Sequence, residues 1–242
     1  MDRQETHLDW GIAGALRAAG KGDIVVVVDT LSFSTAVAVA VSRGASIFPS
    51  ASVQSARAEL QKPEVQVAVA RERVSEATPF SLSPATMENA DKHTRIVMAS
   101  PNGGACAQAA REASYVLVGA LINAQAVARA AEAMAEVTGQ GTTVIACGEV
   151  ADASGELRFA LEDYLASGAI LAEAPGRKTP EALACAALFR SVSESTPALI
   201  WDCESGRELR GRGYEGDVRY ACVMNGLDCV PKLNAGWLEH LL

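Results

Sequence analysis

The chain has 242 residues, 49% of them hydrophobic and 21% charged, which is the composition of a globular protein rather than a disordered one. It carries 29 acidic against 21 basic residues, a formal net charge of −8, and only 5% aromatics. It therefore lacks both the basic footprint that nucleic acids and anionic membranes require and the stacking platforms that single strands require.

The first nine residues, Met1 to Asp9, are polar and charged and do not read as a signal peptide. No apolar stretch reaches the ~20 residues of a spanning helix, so a cytoplasmic protein is expected. Leu8–Ala19 has mixed helical character and ends at Gly20. Asp23–Asp29 is a continuous apolar run closed by an acid, the pattern of a central strand buried on both faces. Ser34–Arg43 reads as a helix stopped by Gly44, Ala45–Pro49 as a strand, Val53–Gln61 as a helix and Val65–Ala70 as a third strand.

Arg71 to His93 holds two prolines, several hydroxyls and mixed charges, and reads as a long loop of the kind that serves function. Strand Arg95–Ala99 leads through the turn Pro101–Gly104 into helix Ala105–Glu112. Tyr115–Gly119 is a strand. Asn123–Glu136 is an Ala-rich helix with Asn123 placed as its cap, and Thr142–Cys147 is another strand. The remainder reads as helices over Glu162–Ala172, Pro180–Phe189, Pro197–Arg210 and Gly216–Met224, with Val230–Leu233 closing the sheet. The alternation predicts an α/β fold with a mainly parallel sheet and helices on both faces. No linker divides the chain, so one domain is expected over residues 1–242.

Ligands in such sheets sit beyond the carboxyl ends of the strands. Those ends carry Asp29, Ser32, Ser34 and Thr35; Arg71, Glu72 and Arg73; Ser100 to Gly104; Leu121 to Asn123; and Glu149 and Asp152, followed by Glu162 and Asp163 at a helix start. Hydroxyls and Gly-rich helix starts suit a phosphate group. Carboxylates without Cys or His partners suit a hard cation such as Mg2+. The six cysteines have no metal-ligand spacing and read as small buried hydrophobes. The three histidines, His7, His93 and His240, read as solvated surface. Gly211 to Gly216 matches GxGxxG, but it follows a polar helical stretch rather than a strand, so a turn between two helices is the better account. No GxSxG elbow or Walker sequence is present.

Taken in order, these segments resemble the 2-phosphosulfolactate phosphatase family, named for its role in coenzyme M biosynthesis. The resemblance is carried by Asp29-Thr-Leu-Ser-Phe-Ser-Thr, Arg43-Gly44-Ala45 with Phe48-Pro49, Glu72, Leu82-Ser83-Pro84, Asn102-Gly103-Gly104 and Leu121-Ile122-Asn123-Ala124. It continues through Ala146-Cys147-Gly148, Glu162-Asp163 with Ser167-Gly168, Gly206 to Leu209, Gly213, Asp217 and Val230-Pro231. The resemblance implies a three-layer α/β/α domain and a Mg2+-dependent phosphatase of a small anionic phosphorylated acid.

On that reading Asp29, Glu72 and Asp163 are the catalytic residues, and Asp29, Glu72, Glu162 and Asp163 hold the metal. Asp29 is a nucleophile in an open variant. Ser32, Ser34, Thr35, Arg71, Arg73, Ser83, Asn102, Gly103, Gly104 and Asn123 bind substrate. The chain departs from the family pattern at Ser32, where the motif has Arg, at Phe33, at Leu82 and at Gly104. The lost Arg removes a charge-assisted contact worth ~1.5–3 kcal/mol and leaves Arg71 or Arg73 as candidates to substitute for it. It also motivates a rival reading, a divergent member that binds an anionic metabolite without turning it over. The oligomeric state, a homo-oligomer included, stays open.

Overall fold

The computed structural model describes residues 5–151 and 156–241; Asp152, one of the strand-end acids, lies outside them. In chain order the elements begin with strand β1 (Glu5–Trp10), helix α1 (Gly11–Lys21), β2 (Ile24–Val28), α2 (Phe33–Ser42) and β3 (Ser46–Ser50). Next come β4 (Val65–Val67), the short helix α3 (Pro84–Met87), β5 (Arg95–Ala99), α4 (Gly103–Ala109), β6 (Tyr115–Val118), α5 (Ala124–Thr138) and β7 (Thr142–Ala146). The chain continues with β8 (Glu149–Ala151), β9 (Glu156–Arg158), α6 (Leu161–Glu173), β10 (Arg177–Lys178), α7 (Pro180–Val192), α8 (Thr196–Asp202), α9 (Glu204–Gly211) and α10 (Glu215–Ala221). It closes with β11 (Pro231–Asn234) and β12 (Trp237–His240).

Ten strands form one sheet in the order β10-β1-β7-β2-β6-β11-β12-β3-β5-β4. Its two blocks, β10-β1-β7-β2-β6 and β3-β5-β4, are parallel throughout. The antiparallel hairpin β11-β12 joins them through a single ladder pair on each side, Lys232 with Leu117 and Leu238 with Ile47. The sheet is thus mixed but mainly parallel, as the strand–helix alternation predicts.

The layers follow from β2. Its side chains alternate in direction, so Val25 and Val27 enter one core with α1, α2 and α4, while Ile24, Val26 and Val28 enter a second with α5, α6 and α7. A strand buried on both faces must be apolar throughout, which is what the run Ile24–Val28 encodes. Helix α2 is buried from Phe33 to Val41. Its Ala and Val residues leave it no polar stripe, and a helix apolar all round belongs inside. Glycine ends α1 and α5: Gly22 and Gly139 take left-handed conformations and turn their amides back to the last carbonyls.

Several expectations need correction. Leu8–Trp10 is the end of β1, and α1 starts only at Gly11. Val53–Gln61 is a set of turns with one 3-10 turn at Glu59–Gln61. There Ser50, Ser52 and Ser55 bond one another and the local backbone, which competes with a helix. The segment Pro197–Arg210 divides at Cys203, whose extended backbone ends α8 and whose Sγ accepts the Gly206 amide at the start of α9. Asn123 takes the N-cap position of α5 as expected, but its side chain makes no capping hydrogen bond there. The hairpin β8-β9 and strand β12 are additional to the predicted elements. The Gly211–Gly216 segment is the turn between α9 and α10, with Gly213 at φ +85°. Among the described residues no helix is long and apolar enough to cross a membrane. All six cysteines are free and five are buried.

Candidate active site

Asp29 stands at the carboxyl end of β2, only 6% exposed. Its Oδ2 accepts two hydrogen bonds, from the Gly103 amide at 2.7 Å and from Ser100 Oγ at 3.0 Å. Its Oδ1 makes no hydrogen bond with a described residue. The turn that presents it is knotted by Ser34: the Asp29 amide donates to Ser34 Oγ at 2.9 Å, and the Ser34 amide donates to the Asp29 carbonyl at 2.7 Å. Thr35 Oγ1 likewise donates to the Thr30 carbonyl at 2.9 Å. Both hydroxyls are fully buried in this turn and neither lines the cleft above it.

That cleft holds about 220 Å³. Asp29, Ser32, Phe33, Leu82, Ser100 and Asn102 line it, with Arg71 and Arg212 as cations and Glu149 and Glu208 as further acids. Ser32 is the residue that replaces the motif Arg. Arg71 reaches it: its Nη2 donates to Ser32 Oγ at 2.7 Å, and its Nε donates to Asp217 Oδ2 at 2.7 Å. Asp217 in turn accepts from Ser83 Oγ at 2.5 Å, which places Ser83 behind Arg71. Asn102 Oδ1 accepts the Val150 amide at 3.1 Å, tying the turn before α4 to β8.

Asp163 is placed differently. It is buried at the start of α6, and its two oxygens accept the amides of Thr30 at 2.7 Å and Gly148 at 2.9 Å. It fastens the end of β2 to the end of β7. Glu162, also buried, accepts a weak bond from Cys203 Sγ at 3.3 Å. Glu72 is exposed, and its carboxylate accepts from Tyr214 Oη at 2.7 Å, which holds its pKa below the usual range. It lies outside the cleft lining, as does Arg73. Asn123 is fully buried and bound to three backbone groups, the Ala120 amide and the Val118 and Cys229 carbonyls.

The expected quartet Asp29, Glu72, Glu162 and Asp163 is therefore not assembled as a metal site. Among the described residues no three Asp, Glu, His or Cys side chains meet as ligands of one ion. Locally, each Asp163 oxygen accepts one backbone amide, and Glu72 turns to Tyr214.

The acids still influence one another. Burial pushes the Asp29 carboxyl up to about 6, and the charges of Glu149 and Glu162 add to the rise, against the lowering effect of Gly103 and Ser100. Burial and the charges of Asp29 and Glu162 raise Asp163 well above the carboxylate range. Glu149 is raised mainly by burial. Perturbed, mutually repelling carboxylates of this kind are the electrostatic pattern that active sites use to tune their acids and bases.

Gly103 and Gly104 have steric reasons. A Cβ on Gly103 would stand 2.6 Å from Asp29 Oδ2, and one on Gly104 would collide with the Ser50 carbonyl. Ser100 and Glu149 belong to the strand ends that the sequence singles out and Asp217 to the segments that carry the resemblance, but neither they nor Arg212 are among the expected site residues. Ser100 directly precedes the Pro-Asn-Gly-Gly turn, and Arg212 lies inside the GxGxxG match, so proximity to those motifs was the available signal.

A family model described as 2-phosphosulpholactate phosphatase matches residues 13–236. A 2-phosphosulfolactate phosphatase of Methanothermobacter thermautotrophicus is 30% identical over 227 residues, 92% of each chain. One of Methanocaldococcus jannaschii is 23% identical over 217 residues, 86% of this chain and 88% of the relative. A probable 2-phosphosulfolactate phosphatase of Clostridium perfringens is 26% identical over 233 residues, 90% of this chain and 89% of the relative.

Proposed function

The chain belongs to the 2-phosphosulfolactate phosphatase family, and on that premise we propose that it hydrolyses a small phosphorylated acid, 2-phosphosulfolactate or a close analogue, at the Asp29 cleft with the help of Mg2+. The observation that carries this reading is the Asp29 carboxylate itself. One oxygen is anchored by Gly103 and Ser100, the other carries no hydrogen bond to a described residue, and the group lines a cleft that also contains two guanidinium groups.

The donor set suits the metal. Mg2+ is held by one or two carboxylates together with waters and substrate phosphate, and needs no cage of three protein ligands. Asp29 and Glu149, two of the three acids that line the cleft, would hold it. Their raised pKa values record like-charge repulsion and burial that a cation would relieve. Bound there, the ion would neutralise phosphate oxygens and favour attack on phosphorus.

The chain's own residues do the remainder. Gly103 and Ser100 fix the Asp29 carboxylate so that its orientation does not change when the ester arrives. Asp163 holds the ends of β2 and β7 at constant separation through Thr30 and Gly148. Arg71 and Arg212 attract the anion, a requirement in a chain of net charge −8. Arg71, bonded to Ser32, puts a guanidinium beside the residue that stands in place of the motif Arg, which supports the catalytic reading.

Release of inorganic phosphate from 2-phosphosulfolactate and from a panel of small phosphate esters, with Mg2+ and with chelator, tests the proposal. Turnover that needs Mg2+ and falls by a factor of ~10³ or more in Asp29→Asn supports it. Turnover unchanged in that variant refutes it.

A further inference from the structure

We propose that Arg71 recognises a second anionic group on the substrate, a carboxylate or sulfonate on the carbon skeleton, separate from the phosphate handled at Asp29. This rests on the phosphatase reading of the cleft and adds the charge pattern of what enters it.

The Arg71 side chain is 16% exposed and fixed from three directions. Nε is bonded to Asp217, Nη2 to Ser32, and the guanidinium lies 5.2 Å from the Tyr214 ring centroid. Asp217 is itself held by Ser83. A long side chain restrained in this way has lost its rotamer freedom before any ligand arrives, which is the condition for tight recognition of a planar anion. Its Nη1 makes no hydrogen bond with a described residue, although the side chain lines the cleft.

The Arg71–Asp217 pair is neutral as a unit, so it offers oriented donors without net charge. Arg212 adds a cation: it lines the same cleft, together with Glu208, and its charge also acts on the Glu72 carboxylate. The cleft thus carries Asp29, Glu149 and Glu208 as acids and two guanidinium groups as cations. A substrate with a phosphate alone would use only part of this arrangement. One bearing a phosphate and a second anion would use both.

The test compares kcat/KM for 2-phospholactate with that for isopropyl phosphate, which has the same skeleton with a methyl group in place of the carboxylate. Arg71→Gln is made alone and with Asp217→Asn, so that a buried carboxylate is not left unpaired. The preference for 2-phospholactate falls in both variants by between about 10- and 150-fold, the range of a charge-assisted hydrogen bond. A preference that stays within about threefold of the wild type in the folded double variant overturns the proposal.

Calorimetric titration separates this failure from failure of the phosphatase reading. A wild-type protein that hydrolyses neither ester, yet binds sulfolactate and loses that binding relative to inorganic phosphate in Arg71→Gln, refutes hydrolysis and sustains the second-anion site. Equal weakening of sulfolactate and inorganic phosphate, or no sulfolactate binding by the wild type, overturns the site.

Discussion

The Gly103 amide donates to Asp29 Oδ2 at 2.7 Å, and a Cβ on Gly103 would stand 2.6 Å from that same oxygen. The glycine is thus both the anchor of the carboxylate and the reason it can lie so close to α4. The two residues are 74 positions apart in the chain, and their contact joins the end of β2 to the turn after β5.

Gly103→Ala is expected to displace Asp29 and to press on Phe33, which the added methyl would also meet. Overpacking of this kind costs about 1–3 kcal/mol of stability. Displacing a reacting group by about 1 Å costs on the order of 100-fold in rate. Thermal unfolding and phosphate release measure the two effects. A variant with wild-type activity would show that the Asp29 position is not critical.

The pH dependence of stability follows from Asp29. Its folded pKa, about 6, lies above the ordinary 3.8, so the neutral form is favoured in the fold. The stability this confers is full below the ordinary value and is lost as pH rises through about 6. Above that, the ionised buried group costs at most about 3 kcal/mol. In chelator, Asp29→Asn should therefore raise Tm at pH 7–8 and lose that advantage toward pH 4. Mg2+ should stabilise the wild type at pH 7–8 and not the variant. A Tm difference that does not change with pH would contradict the assignment.

Asp163 accepts the amides of Thr30 and Gly148, so its substitutions should separate by chemistry. Asp163→Ala leaves the buried amides of Thr30 and Gly148 without acceptors, at about 1–3 kcal/mol each. Asp163→Asn keeps one acceptor and should lose less. Denaturant unfolding decides this, and equal losses would contradict the clamp.

Much of the architecture is legible in short-range pattern. The run Ile24–Val28 and its acidic end give β2 and place Asp29, and the strand–helix alternation gives the mainly parallel sheet. What is not legible is the direction of individual polar side chains. Ser34 and Thr35 stand at the expected helix start, yet their hydroxyls satisfy the turn that carries Asp29. Arg71 and Asp217 are 146 positions apart, and nothing local in either segment encodes their pairing. Val53–Gln61 has helical composition, but Ser55 within it and Ser52 just before it bond each other's backbone.

Asn123 gives a further separation of scaffold from site. Its amide group bonds the Ala120 amide and the carbonyls of Val118 and Cys229. Asn123→Ala is expected to cost about 2–4 kcal/mol of stability, from a few lost buried hydrogen bonds, with KM unchanged below the unfolding range. A raised KM in a variant of wild-type stability would return Asn123 to the substrate.

The most direct measurement of the central claim is phosphate release from 2-phosphosulfolactate by the wild type and Asp29→Asn at matched concentration with Mg2+. The expected result is steady turnover by the wild type and a loss of ~10³-fold or more in a folded Asp29→Asn protein. Equal rates in the two proteins, or no release by the wild type from any ester in the panel, would contradict it.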